Sequence, residues 1–289
     1  MPKGERLDRL LVERGLAPSR ERAQRLILAG RVTVKGVLAD KAGSAFPPDA
    51  DIAVKEDPCP YVSRGGLKLA AALDEFTISP EGRFFLDVGS STGGFTDVML
   101  RRGARRAVCV DVGRGQLDWS LREDPRVTVL EGVNARYLTK KVFAGAVGSE
   151  AAGLEAPDPG VPDPGVPDPG VPDLAAVDLS FISVTKVLPA VLALMAEKSE
   201  IIVLAKPQFE AGRDQVGKGG IVKDPAVHRT VLESLWTWAS QNGFGPAAAC
   251  ASPIRGAKGN REFFVHMKPG GKSSEGEREI ERALREKDG

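Results

Sequence analysis

Phe84-Phe-Leu-Asp-Val-Gly-Ser-Ser-Thr-Gly-Gly-Phe-Thr96 decides how the rest of this chain is read. Its first five residues form an apolar run broken only by Asp87, the pattern of a buried strand. A glycine-rich turn follows, then a helix from Gly94. This order aims backbone N–H groups and a helix N-terminus at a ligand. Three ligands compete. A P-loop requires a lysine where Phe95 stands. A dinucleotide fingerprint requires its second glycine where Ser91 stands. A sulfonium donor such as S-adenosylmethionine is positively charged, so a carboxylate beside the turn favours it and would repel a pyrophosphate. Asp87 is that carboxylate. The ribose diol of such a donor calls for an acid at the end of the next strand, which Asp111 supplies, and Asn134 lies just past the third strand to meet the adenine. The candidate donor site comprises Asp87, Gly89, Ser90, Ser91, Thr92, Gly93, Gly94, Phe95, Asp111, Val112, Asn134 and Asp178. A turn with no ligand remains the bland alternative.

Outward from this turn, strands are read at 84–88, 107–111, 127–130, 175–179, 200–205 and 262–266. Helices fall near 94–102, 184–196 and 225–242. Such βα alternation predicts a parallel sheet with helices on both faces. In open sheets of this kind, ligands gather at the carboxyl ends of the strands. Asp178 closes the fourth strand. Lys206 closes the fifth, in Ile201-Ile-Val-Leu-Ala-Lys206. Glu262 opens the last strand, which reaches the same rim if it runs antiparallel. Lys68 lies in Ser63-Arg-Gly-Gly-Leu-Lys-Leu69, just before the sheet. Two lysines and two acids are thus expected to converge. As structural alternatives, Asp178–Lys206 is a rim salt bridge and Glu262 a charge that protects a strand edge.

The flanking segments differ in character. Residues 1–57 read as a small α+β module, with helices from Leu7 and Arg20 and short strands near 31–35, 37–38 and 52–54. Between Lys3 and Lys41 there are ten basic and five acidic residues. Lys3, Arg6, Arg9, Arg20, Arg22 and Arg25, with Arg64 beyond the module, are the candidate contacts to an RNA backbone. Residues 58–63 form a proline-punctuated linker, and 64–268 the sheet domain. The period-five Pro-Asp-Pro-Gly-Val repeat of 157–173 reads as a surface loop within that domain, since the strand pattern resumes at Ala175. Residues 269–289 read as a charged tail.

Composition excludes several classes. The chain carries 40 Lys+Arg against 39 Asp+Glu, so its overall charge names no partner. Three scattered cysteines and two distant histidines give neither a disulfide framework nor a metal site, and no metal is expected. The N-terminal segment has no apolar h-region, and no apolar run approaches the roughly 20 residues that span a bilayer. The expectation is a cytoplasmic protein without a membrane partner, with a monomer favoured.

Taken together, these motifs resemble known families. Asp87 and Gly89-Ser-Ser-Thr-Gly-Gly94 with Lys68, Asp178, Lys206 and Glu262 resemble the K-D-K-E tetrad of FtsJ-like RNA ribose 2′-O-methyltransferases. Arg6-Leu-Asp-Arg-Leu10, Gly15, Ser19-Arg20 and Gly30-Arg-Val-Thr-Val34 resemble the S4 RNA-binding module. With Val177-Asp-Leu-Ser-Phe-Ile-Ser183 and Lys206-Pro-Gln-Phe-Glu210, the chain resembles the TlyA family over nearly its whole length. The repeat at 157–173 is a departure that touches no motif. The resemblance implies a Rossmann-like, mostly parallel seven-stranded methyltransferase sheet behind an S4 domain. It also implies S-adenosylmethionine as cofactor, and 2′-O-methylation of cytidine in ribosomal RNA of the small subunit, the large subunit or both. Lys206 would then activate the 2′-hydroxyl, Lys68 and Glu262 would orient it, and Asp178 would position Lys206 or the methyl. A neighbouring cation favours the neutral lysine this needs and a carboxylate opposes it; the sequence leaves that balance open. Two rival functions are a membrane-active hemolysin, after the family's other name, and an RNA-binding assembly factor without activity.

Overall fold

The computed structural model describes residues 4–17, 19–28, 30–55, 59–151 and 170–285. Lys3, Asp57, Pro58, residues 157–169 of the repeat, and the side chains of Arg22 and Arg25 lie outside the described residues. The chain divides into two units, Met1–Pro60 and Tyr61–Gly289.

The first unit is built on two short helices, α1 (Leu7–Glu13) and α2 (Arg20–Leu28). Leu7, Leu11, Ala23 and Ile27 repeat at helical spacing and are completely buried. They pack on a three-stranded antiparallel sheet in which β2 (Val32–Val34) lies between β3 (Val37–Leu38) and β5 (Ile52–Val54). A second ribbon pairs β1 (Glu5–Arg6) with β4 (Ala45–Phe46). Unlike β3, which a glycine turn joins to β2, these two-residue strands are distant in sequence and carry no local hairpin signal, so the ribbon was not expected.

The second unit carries a seven-stranded sheet. Its strands are β6 (Phe84–Val88), β7 (Arg106–Asp111), β8 (Val127–Glu131), β9 (Leu174–Val177), β10 (Glu200–Ala205), β11 (Pro246–Ala251) and β12 (Phe263–Met267). The order across the sheet is β11-β12-β10-β9-β6-β7-β8. β8, β7, β6, β9 and β10 run parallel, and β12 is antiparallel to both its neighbours. Alternate residues feed two cores, one on each face. Ile201, Val203 and Ala205 of β10 face α6 (Lys140–Ala151), α7 (Leu188–Leu192) and α9 (Pro225–Gln241). Ile202 and Leu204 face α3 (Gly65–Phe76), α4 (Gly94–Arg101) and α5 (Trp119–Arg122). Burying each such Ile, Val or Leu side chain contributes about 1.5–3 kcal/mol.

Several elements depart from the sequence reading, among them helices α5 and α6. Helix α3 was not expected, because Gly65-Gly66 at its start argues against helix. β11 was not expected either: Pro246-Ala-Ala-Ala-Cys-Ala251 lacks branched residues, and its proline is tolerated only because the strand lies at the sheet edge. Residues 184–196 split into a 3-10 turn at Val184–Lys186 and α7. Residues 276–285, read as part of a charged tail, form helix α10 (Gly276–Arg285), with Ile280 and Ala283 buried in the sheet domain's core. A short four-residue helix, α8 (Pro207–Glu210), follows Lys206 directly.

Candidate active site

Register brings the charged residues of the rim together. The β10–β12 pairing ends at Ala205 opposite Phe263, so one step further Lys206 stands opposite Glu262. Asp178 follows the last residue of β9, and its N–H still donates to the Val88 carbonyl at 2.9 Å. Lys206 Nζ lies 2.5 Å from Asp178 Oδ1, an ion pair without aligned hydrogen-bond geometry, and donates to Ser180 Oγ at 3.3 Å. Lys68 Nζ donates to Glu262 Oε2 at 2.6 Å. The tetrad is therefore two lysine–carboxylate pairs. Both lysines are largely buried, 11% and 13% exposed, so neither is a freely solvated surface lysine.

Close backbone approaches make this possible. Lys68 sits in the first turn of α3, beside the start of α4. A Cβ on Gly94 would lie 2.9 Å from the Gly66 nitrogen and strike the Ser63 hydroxyl, so only glycine lets these two helix starts meet. The Glu262 carboxylate lies against Gly256, where a Cβ would collide with it.

The glycine-rich turn borders the same rim. Gly89, at φ +87, abuts the Asp178 carbonyl so closely that no Cβ fits. Asp87 is fully buried, and its Oδ2 accepts from Thr96 N at 3.1 Å and Thr96 Oγ1 at 2.6 Å. Its Oδ1 is buried with no hydrogen-bond partner. Burial, and then the negative charges of Asp178 and Asp111, push its carboxyl up to about 7 against the pull of Thr96. The neighbouring Cys109 thiol is pushed up chiefly by burial, which leaves it inert. Asp111 ends β7 and orders the turn after β6 and the turn after β7: Oδ2 accepts from Ser91 N at 2.8 Å and Oδ1 from Gly113 N at 2.7 Å. Val112 is exposed beside it. Asn134 is exposed too, and its Oδ1 accepts from Arg136 N at 3.1 Å, so its amide nitrogen is what remains for a ligand.

Three contributors were missed by sequence reasoning. Thr96 anchors Asp87. Phe181, at φ +66 and 91% exposed, projects from the loop between Asp178 and Ser183. A bulky side chain in this conformation costs about 1–3 kcal/mol. Its ring tilts against Phe209 of α8 with centroids 5.1 Å apart, and both rings line an open cavity of about 510 Å³ with Arg213. Glu210 fastens the loop's far end, accepting from Ser183 Oγ at 2.6 Å and from Val184 N at 2.9 Å. A left-handed backbone at a phenylalanine has no sequence signal.

A family model described as FtsJ-like methyltransferase matches residues 61–269, and one described as S4 domain matches residues 5–52. The protein named "16S/23S rRNA (cytidine-2'-O)-methyltransferase TlyA" of Mycobacterium tuberculosis (strain ATCC 25618 / H37Rv) is 40% identical over 269 residues, covering 93% of this chain and 91% of that protein. The chain belongs to the TlyA family. Its similarity to "Putative rRNA methyltransferase YqxC" of Bacillus subtilis (strain 168) is 43% identity over 288 residues, covering 98% of this chain and 94% of that one. Among solved structures, "Putative hemolysin from Streptococcus thermophilus" matches at 37% identity with a TM-score of 0.68, covering 98% of this TlyA-family chain and 95% of the other. Among the described residues, no helix is long and apolar enough to cross a membrane, and no cluster of metal-ligating side chains occurs.

In the S4 unit the candidate RNA contacts are not loose surface charges. Arg6 donates through Nε and Nη2 to Asp8, both at 3.0 Å. Arg20 Nη2 donates to the same carboxylate at 3.1 Å. Arg9 pairs with Glu13 one turn on, at 3.4 Å. Arg64, in the second unit, is exposed at the N-cap of α3.

Proposed function

We propose that this chain is an S-adenosylmethionine-dependent methyltransferase that modifies a ribose 2′-hydroxyl of cytidine in ribosomal RNA. The observation that carries the reading is the pairing of Lys206 with Asp178 and of Lys68 with Glu262 on one strand rim, beside the glycine-rich turn.

The donor fits the turn. Asp87 offers a buried carboxylate oxygen without a partner, suited to the donor's ammonium, and Gly89 lets the turn close against the Asp178 backbone. Asp111 offers acceptors for a ribose diol, and Val112 an apolar face for a base. When bound, the donor supplies an electrophilic methyl group on a sulfonium, which departs as a neutral thioether.

The remaining work falls to the protein. A hydroxyl is a poor nucleophile until its proton is withdrawn, so the reactive state has Lys206 as the free amine, taking the proton as the oxygen–methyl bond forms. Asp178 holds Lys206 Nζ at the rim. Lys68 and Glu262 orient the hydroxyl, and alignment supplies much of the acceleration. Phe181 offers a face on which the target base can stack. The S4 unit supplies phosphate contacts through Arg6, Arg9 and Arg20, together with Lys3, Arg22 and Arg25. A cytoplasmic location follows from a ribosomal substrate.

Mapping 2′-O-methyl positions on ribosomal RNA after incubation with the protein tests this reading. New methylation by the wild type, lost in Lys206→Ala at saturating donor, is expected. Near-normal turnover in that variant would remove Lys206 from its role. Dye release from liposomes with no RNA methylation would favour a membrane-active protein instead.

A further inference from the structure

Asp8 is the point in the S4 unit where charge and burial conflict. It has no exposed surface, yet it sits at the centre of a basic module. Four donors converge on it: Arg6 Nε on Oδ1, and Arg6 Nη2, Arg20 Nη2 and Gln24 Nε2 on Oδ2, at 2.9–3.1 Å. Oδ1 takes one of these donors and Oδ2 three, so the buried charge is met from within the unit by four N–H groups. Both arginines remain about half exposed, 49% for Arg6 and 54% for Arg20. Arg6 Nη1 lies over Gly43, at a point 3.3 Å from where a Cβ would sit. Each guanidinium thus turns one edge inward to Asp8 and keeps another edge outside that contact.

We propose that Asp8 is a positioning residue of an RNA-backbone site: it holds the Arg6 and Arg20 guanidiniums side by side, so that their outward N–H groups take phosphate oxygens. The proposal rests on the reading that this unit binds RNA, and it adds how. A free surface arginine gives up side-chain freedom on binding. A pair already fixed by a buried carboxylate gives up less, and its planar forks suit phosphate geometry. The N–H groups that face Asp8 come from Arg6, Arg20 and Gln24; the α1 neighbours Arg9 and Glu13 are paired with each other. Arg14 donates elsewhere, to the Ala50 and Pro48 carbonyls.

The sign of one substitution decides it. Asp8→Asn removes a negative charge from a basic surface, so counterion release alone predicts tighter RNA binding. Positioning predicts weaker binding. Binding of the full chain to purified 30S and 50S ribosomal subunits is measured by filter retention across a salt series. The expected result is an affinity about tenfold lower for Asp8→Asn, with a salt slope close to the wild type, because the phosphate-contacting charges are all kept. Arg6→Lys keeps the charge and loses the two-point fork, and the same weakening is expected. Circular dichroism checks that the variants are folded. If Asp8→Asn is unfolded, Arg6→Lys carries the test. Affinity at or above the wild type in a folded Asp8→Asn, or unchanged affinity in Arg6→Lys, overturns the proposal. The double variant Arg6→Glu, Arg20→Glu tests the underlying reading separately: if it binds as the wild type does, the S4 unit does not hold RNA through these residues at all.

Discussion

Replacing Asp87 with asparagine should stabilise the ligand-free protein at alkaline pH and weaken its hold on the methyl donor. The carboxyl rises from an ordinary 3.8 to about 7, which corresponds to about 4 kcal/mol of destabilisation once the group is ionised. Between pH 4 and 7 the folded chain keeps a proton that the unfolded chain has released. Stability from this group therefore falls as pH rises through that window and levels off above 7. Asparagine removes the charge, but it puts an amide nitrogen where Oδ1 has no partner, at a cost of about 1–3 kcal/mol. The net gain at pH 8 is about 2 kcal/mol, or about 4–8 °C in the Tm of a unit of this size. At pH 5 the wild-type carboxyl is already protonated, and the variant should be the less stable of the two. Scanning calorimetry at both pH values reads the crossover. Isothermal titration with S-adenosylmethionine at pH 8 should show binding weakened by about tenfold to a hundredfold, the loss of a charge-assisted contact. A Tm difference that is the same at pH 5 and pH 8 would refute the reasoning, since the buried charge would then have no cost.

Other substitutions separate binding from chemistry. Phe181→Ala should raise the KM for RNA by about tenfold, the loss of one base-stacking contact, with donor affinity unchanged. Burial pushes the Glu210 carboxyl up, and Glu210→Gln should reproduce part of that KM effect by loosening the loop at Ser183 and Val184; unaltered steady-state kinetics in both variants would remove this loop from substrate binding. Gly256→Ala places a methyl group where the Glu262 carboxylate lies, so kcat should fall by about tenfold or more while calorimetric donor binding persists.

The charged rim was legible because ionic residues ending apolar strands are conspicuous, and because βα alternation puts the carboxyl ends of parallel strands on one rim. The antiparallel last strand was needed to bring Glu262 to that rim, and the register opposite Lys206 bears this geometry out. The Asp178–Lys206 pair was legible as a rim salt bridge, but that of Lys68 with Glu262 was not, since it depends on α3, a helix hidden by Gly65-Gly66. A Cβ on Gly66 would strike the Tyr61 side chain, and it is Gly94 that lets the start of α4 approach that of α3, tertiary reasons with no local signature. Asp8 was passed over within Arg6-Leu-Asp-Arg-Leu10 because an acid between two basic residues reads as surface, whereas its complete burial needs Arg20 and Gln24 from the next helix. Helix α10 is charged on most of its circumference, and what ties it down, Ile280 and Ala283 in the core and Arg282 reaching the Ala249 carbonyl, is tertiary.

The Lys68–Glu262 pair joins residues 194 positions apart. Its acid lies at the start of a strand that must slot between β10 and β11. During synthesis the glycine-rich turn, Asp178 and Lys206 are all made well before that strand exists. The last member of the tetrad to be made is therefore Glu262. The four charges are assembled only once the final strand has docked, so the proposed chemistry is tied to completion of the fold.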